Sequence, residues 1–360
     1  MTDSPQAAFL EAACVPLEGG HASGTLERAE AILAAHPEIA SGDIHAAAIL
    51  GDEASVRRFL EHDPANATAR GGPRGWDALT HLCFSRYLRL DRARSEGFVG
   101  AARILLDVGA DANTGWYETS HQPQPEWESA LYGAAGVAHH AELTSLLLER
   151  GADPNMQLFF KPANVSGTTN TRGSTPLIRA ANNGDLEVVK ILLEHGADAT
   201  LYMADRQTPI HAVLAGRTLE PQALELIRVL HNAGTDVNVV ALVNHEEEVR
   251  GGSALHFAVR KRYKEVIKEL ASYGVDMNAK DQDGLTALDY TQSRGFMPFM
   301  ALQTPLYKEE ATLLRELGAT TLMAKSPVWP VLGPPQGVWA DIPPLGEPTV
   351  HEPVYKPTID

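Results

Sequence analysis

The amino-acid sequence predicts an all-α protein, a solenoid of about seven helix-turn-helix repeats linked by β-hairpin fingers. Three observations predict it. A short phrase recurs: Gly109-Ala110-Asp111, Gly151-Ala152-Asp153, Gly196-Ala197-Asp198, Gly234-Thr235-Asp236, Gly274-Val275-Asp276 and a weakened Gly318-Ala319-Thr320, at spacings of 42, 45, 38, 40 and 44 residues. Each glycine closes an apolar run of helical period, such as Val188-Val189-Lys190-Ile191-Leu192-Leu193, and provides the left-handed residue on which a helix stops. Upstream of the stops lies a second phrase: Thr175-Pro176-Leu177, Thr208-Pro209-Ile210-His211, Ser253-Ala254-Leu255-His256 and Thr286-Ala287-Leu288. A hydroxyl there caps free backbone N–H groups, and proline suits the first helical position, so the phrase marks helix starts.

Taken in chain order, residues 1–40 read as an N-terminal helical cap, with a helix over 26–35 stopped at His36-Pro37. Residues 5–35 are expected to cover the exposed end of the stack. The solenoid occupies 41–320, with repeats beginning near Gly42, Trp76, Glu128, Gly173, Arg206, Gly252 and Gly284. The first is degenerate, since His62-Asp63-Pro64 replaces the glycine stop. Helices this short cannot bury an apolar face alone, so stacking is required. Residues 321–360 form a Pro-rich tail; the segment 325–360 holds nine of the 23 prolines, together with Trp329, Trp339, Ile342 and Tyr355. Proline at this density excludes helix, and the apolar residues favour a strap across the last repeats over a free ligand for a proline-reading module.

The stretched repeats direct attention to the fingers. From stop glycine to next cap, Gly196–Thr208 and Gly274–Thr286 span 12 residues each, whereas Gly109–Ser129 spans 20, Gly151–Thr175 spans 24 and Gly234–Ser253 spans 19. Further insertions fall near the turns inside the repeats at 77–109, 208–234 and 286–318. The chain is only 6% aromatic, yet two long fingers carry Trp116, Tyr117, Trp127, Phe159 and Phe160. Tyr and Trp are enriched in interaction hot spots, so these five residues form the expected partner contact. The competing expectation is that long loops fold back and use their aromatics as a local core.

Residues 175–198 closely resemble the ankyrin repeat, whose signature is T-P-L-H-x-A, and the resemblance covers roughly residues 41–320. It implies structural roles for the motif residues: Thr175, Pro176, Thr208 and Pro209 start helices, Gly109, Gly151, Gly196, Gly234 and Gly274 stop them, and His45, His211 and His256 brace the hairpins by hydrogen bonds. The degenerate first repeat and long aromatic fingers look like those of bacterial ankyrin-repeat proteins.

Chemistry is sought and not found. His245-Glu246 begins a zincin pattern, but Val249 stands where the second histidine is needed. The Gly71–Gly75 segment lacks the Lys-Ser/Thr of a phosphate loop, and no G-x-S-x-G elbow occurs. The pair His139-His140 falls at an inter-helix turn. Arg260-Lys261-Arg262 with Lys264 is read as a helix C-terminus offsetting its macrodipole. Cys14 and Cys83 are the only cysteines and make no CxxC site. Lys plus Arg number 30 against 46 Asp plus Glu, a formal charge of −16, which disfavours nucleic acid and anionic lipid. No run approaches a membrane span, and a cytoplasmic monomer without cofactor or metal is expected. The function expected is non-catalytic protein binding through the concave face and the fingers. The alternative is an inhibitor or immunity protein masking a basic enzyme, and an enzyme with its site in the insertions ranks last.

Overall fold

The computed structural model describes residues 4–16, 24–118, 126–156, 173–203, 205–242, 251–291 and 307–320. Two helices precede the stack, α1 (Pro5–Ala13) and α2 (Glu27–Ala35). Seven helical units follow among the described residues. The first pairs α3 (Ile44–Leu50) with α4 (Glu53–His62). The second is α5 (Ala78–Cys83), an inserted α6 (Arg86–Leu90) and α7 (Ser95–Val108), which accounts for the extra length of 77–109. In the third, α8 (Ala130–Tyr132) continues as a π-helical turn over Gly133–Val137 and is followed by α9 (Ala141–Glu149). The rest are α10 (Pro176–Asn183) with α11 (Leu186–Glu194), α12 (Pro209–Ala215) with α13 (Glu220–Asn232), α14 (Ala254–Lys261) with α15 (Lys264–Ser272), and α16 (Ala287–Tyr290) with α17 (Lys308–Glu316).

Local chemistry sets these boundaries. All six stop glycines lie at φ between 77° and 112°. At Gly109, for example, its N–H reaches the Leu106 carbonyl at 3.2 Å and the Ala110 N–H reaches that of Leu105 at 2.9 Å, the paired bonds that end a helix on a left-handed residue. At the starts, Thr175 Oγ1 accepts from the Ile178 N–H at 3.1 Å. Thr208 and Ser253 cap reciprocally with His211 and His256 three residues on.

Between repeats, an asparagine two residues beyond the Gly-x-Asp phrase ties each turn to the next. Asn155 donates to the Gly196 carbonyl at 3.0 Å and accepts from the Asp198 N–H at 2.7 Å. Asn113 and Asn238 make the same two bonds to Gly151 and Asp153, and to Gly274 and Asp276. At Thr200 the rung is missing, and Thr235 Oγ1 donates to the Ala199 carbonyl instead, at 2.8 Å.

One apolar core runs the length of the stack. The first helices contribute alanines that let neighbours approach closely, among them Ala46, Ala47, Ala134, Ala180 and Ala258, all inaccessible to solvent. Among the described fingers, one is a true ladder: β1 (Gly115–Glu118) pairs antiparallel with β2 (Glu126–Ser129). Three more close through single bridges, Gly71 to Trp76, Ala241 to Gly252 and Lys280 to Thr286.

α1 reaches beyond the first repeat. Its partners come from both of the first two repeats. Gln6 donates to Asp43, the cap of α3; Arg74 on the first finger reaches Glu11 and the Val15 carbonyl; Val15 N–H bonds to the Phe84 carbonyl at 3.0 Å; and Arg86 reaches the Ala12 carbonyl at 2.7 Å. α1 thus packs on α2 and α3, and its C-terminal end reaches the first finger and the end of α5.

Candidate functional site

The β1–β2 hairpin turns its two faces in opposite directions because side chains alternate along a strand. Trp116 is directly across from Glu128, and Tyr117 from Trp127. The Trp116 face is interior. Its ring packs 4.9 Å from Trp76 and edge-on to Phe84 at 5.8 Å, and it is only 4% exposed. It therefore serves as a local core residue, as the competing loop expectation had it, and presents no surface to a partner. The aromatic wall of repeat two draws it in: Trp76, Phe84 and His81 already form an apolar recess that an indole fills.

Tyr117 and Trp127 lie on the other face. Their rings meet edge to face at 4.9 Å, and both are half-buried. Partial burial pushes the Tyr117 phenol up, so it stays a neutral donor. This pair is a rigid amphipathic patch held by cross-strand registry. Phe159 and Phe160 lie outside the described residues, as do the zincin-like His245 segment and the tail 321–360.

Two of the motif histidines, His211 and His256, are bonded at both ring nitrogens. In His211, Nδ1 accepts from the Thr208 N–H at 3.3 Å, which leaves Nε2–H to donate to the Gly252 carbonyl at 3.2 Å. His256 repeats this with the Ser253 N–H and the Leu285 carbonyl. Each histidine thus caps its own helix and braces the following finger. Burial pushes His211 down to about 4 and His256 down as well. His45 Nε2 bonds the Ala69 carbonyl at 3.1 Å. His140 caps α9 through Nδ1 and reaches Ser95 Oγ at 2.6 Å through Nε2, while His139 is the left-handed turn residue, at φ 56°.

The basic cluster is also taken up by neighbours. Lys261 Nζ donates to the Gly216 carbonyl, and Arg262 pairs with Glu310 at 3.1 Å. Lys264 pairs with Glu309, and Arg260 lies over the Phe257 ring at 4.3 Å. These cations join repeats five, six and seven, a broader role than the helix-end charge effect expected. Cys14 and Cys83 are free and buried, and burial pushes the Cys14 thiol up to about 12, which keeps it protonated and unreactive. Among the described residues no group of three or more His, Cys, Asp or Glu is arranged to hold a metal, and no helix is long and apolar enough to cross a membrane. An open cleft of about 450 Å³ between α2 and the α6–α7 segment is lined by Asp52, Arg94 and Glu96 among others. Its Asp52 already caps α4, and its Arg94 already holds Asp91.

Two family models match the sequence, "Ankyrin repeats (many copies)" over residues 165–212 and "Ankyrin repeat" over residues 250–282. The crystal structure of the human ASB11 ankyrin repeat domain superposes with a TM-score of 0.51, covering 77% of this chain and 98% of that one at 20% identity.

The chain carries ankyrin repeats.

Among curated relatives, the ankyrin repeat and KH domain-containing protein mask-1 of Caenorhabditis elegans is 28% identical over 273 residues, 62% of this chain and 10% of that protein. The mitochondrial disaggregase of Bos taurus is 27% identical over 190 residues, 53% of this chain and 25% of that protein. The chain thus spans a quarter or less of the length of these relatives. Both come from animals, so they do not bear on the expected bacterial affinity. Ankyrin repeats are in general protein-interaction modules, and they are typically not enzymes.

Proposed function

We propose that this chain is a non-catalytic protein-binding module, acting as a monomer, whose partner lies along the concave side and against the hairpin pair Tyr117–Trp127. The pair's geometry carries the reading. Two aromatic rings are fixed edge to face on the hairpin surface opposite the core-facing Trp116, which gives large contact area with little entropy left to lose on binding. A preformed stack of repeats lowers the ordering cost further.

The test is capture of a partner from native lysate by the wild-type chain and by a Tyr117→Ala, Trp127→Ala variant of equal thermal stability. Loss of a captured protein by the variant supports the reading, and equal capture removes the pair from it. The −16 charge favours a basic surface on the partner, as in an inhibitor of a basic enzyme. Capture that weakens steeply as salt rises supports that version, and salt-independent capture removes it.

A further inference from the structure

α6 carries two arginines on one face, since Arg86 and Arg89 lie three residues apart. Arg86 donates through Nη1 to the Ala12 carbonyl at 2.7 Å, but its Nε is closed to solvent and meets no acceptor among the described residues. Arg89 is less satisfied still. Its Nε and Nη2 are both closed to solvent, and both lack an acceptor among the described residues. A buried guanidinium that has lost its water and gained no partner is costly, far more so than an unpaired amide. Such a group in a native fold calls for an explanation, and a bound ion is one.

No carboxylate answers this charge. Arginines elsewhere in the chain find one readily: Arg57 pairs with Glu53, Arg150 with Asp107 and Arg228 with Glu269. Among the described residues Arg86 and Arg89 make no ion pair, although the chain holds 46 Asp and Glu against 30 Lys and Arg. The strongest charge acting on each is another cation. Arg74, itself spent on Glu11 and the Val15 carbonyl, acts on Arg86, and Arg86 acts on Arg89. Burial first, and the neighbouring cation second, hold both guanidinium groups below the ordinary arginine range. The face is also open at one edge. Gly24 is exposed, and a methyl placed on it would lie 2.6 Å from Arg86 Nη2. The backbone there runs against the outer edge of the Arg86 fork, and Gly24 has no side chain to cover it.

A guanidinium fork matches two oxygens of a tetrahedral oxyanion. Two adjacent cations without a counter-charge suit a dianion better than a single carboxylate. We propose that the Arg86–Arg89 face of α6 binds a phosphate dianion, either the free ion or a phosphomonoester reaching in beside Gly24. The site draws on neither Tyr117 nor Trp127, so it goes beyond the protein-binding reading and stands or falls apart from it. α6 is the insertion that lengthens repeat two, so this chemistry sits on a segment that a regular repeat lacks.

In the experiment, inorganic phosphate is titrated into the full chain by calorimetry, at fixed ionic strength in chloride. Saturable binding is expected, weakened about tenfold or more in Arg89→Met and unchanged in Arg57→Met, which removes an arginine already paired on α4. Glycerol phosphate run in parallel separates the sources. Binding of both supports a site open to a monoester, and binding of inorganic phosphate alone supports the free ion and overturns the monoester. Urea midpoints read the same site independently. Because Arg89 has no partner to lose among the described residues, Arg89→Met should raise the midpoint in chloride, whereas millimolar phosphate should raise it further in the wild-type chain than in the variant. Absence of saturable binding at tens of millimolar, or equal binding by Arg89→Met, overturns the proposal. So does an Arg89→Met midpoint lowered equally in chloride and in phosphate, which would show that the chain itself supplies the counter-charge.

Discussion

At the scale of single residues, the inter-turn asparagines link repeats by the most local means available, one side chain satisfying both a donor and an acceptor of the next turn. Asn155→Ala removes both bonds and leaves the Gly196 carbonyl and the Asp198 N–H to water at a half-exposed site. A loss of about 1–2 kcal/mol is expected, read as a lower midpoint in urea with an unchanged slope. The gap at Thr200 makes the opposite prediction. Thr200 already has its N–H on the Asp198 carboxylate, as the asparagines have theirs on the preceding aspartate. Thr200→Asn therefore places a carboxamide where the other rungs have one, facing Gly234 and Asp236, and should raise stability by about 1 kcal/mol. A lower midpoint for Thr200→Asn would show that Thr235, which bonds the Ala199 carbonyl, leaves no room for the rung. These asparagines were readable: Gly109 to Asn113, Gly151 to Asn155, Gly234 to Asn238 and Gly274 to Asn278 repeat one five-residue frame. The shorter Gly-x-Asp phrase conceals it, because the stop glycine alone explains the end of the helix.

At the scale of elements, the finger hairpin separates packing from recognition within one strand. Trp116→Ala empties an interior site against Trp76 and Phe84 and should cost about 3 kcal/mol or more. Trp127→Ala, on the half-buried face, should cost about 1 kcal/mol or less and lower partner capture. Urea midpoints beside capture from lysate read both effects. If Trp127→Ala proves as destabilising as Trp116→Ala, the outer pair belongs to the fold and the contact surface lies elsewhere. The sequence shows that Trp116 and Tyr117 point opposite ways. It does not show which way is inward, because that depends on the recess made by Trp76 and Phe84 some 30 to 40 residues earlier. The same limit applies to α1. Its composition announces an apolar face, but an apolar face fits the end of a stack and the groove of a stack equally well. The partners of Arg74 and Arg86 show only in the structure, where they tie its C-terminal end to repeat two. Helix starts and stops were legible for the converse reason: a capping hydroxyl and a left-handed glycine act within four residues of themselves.

At the scale of the whole molecule, the repeating use of neutral buried histidines sets how the fold answers to acid. His211 and His256 must keep Nδ1 unprotonated to accept from the cap N–H groups of Thr208 and Ser253, and His140 does the same for Leu143. Burial is the leading cause that holds all three below the ordinary histidine value of 6.5, with His211 at about 4, and it holds His81 at about 3. The unfolded chain therefore binds more protons than the folded one once pH falls below 6.5. Their contribution to stability is fully present above that pH and is lost progressively toward pH 4 and below, by a few kcal/mol for the set. A second loss begins lower. Glu269 is held at about 2 by its hydrogen bonds from Arg228 and Tyr273, so the tie between repeats five and six weakens only as pH falls from about 4.5 toward 2. Urea midpoints at pH 7.5, 6.0 and 5.0 should decline steadily. Because His211 joins its repeat to the next finger, His211→Gln should flatten that decline while lowering the midpoint at pH 7.5. A midpoint constant from pH 7.5 to 5.0 in the wild-type chain would mean that these imidazoles titrate alike in the folded and unfolded states, and would remove their bracing from the account of what holds the stack together.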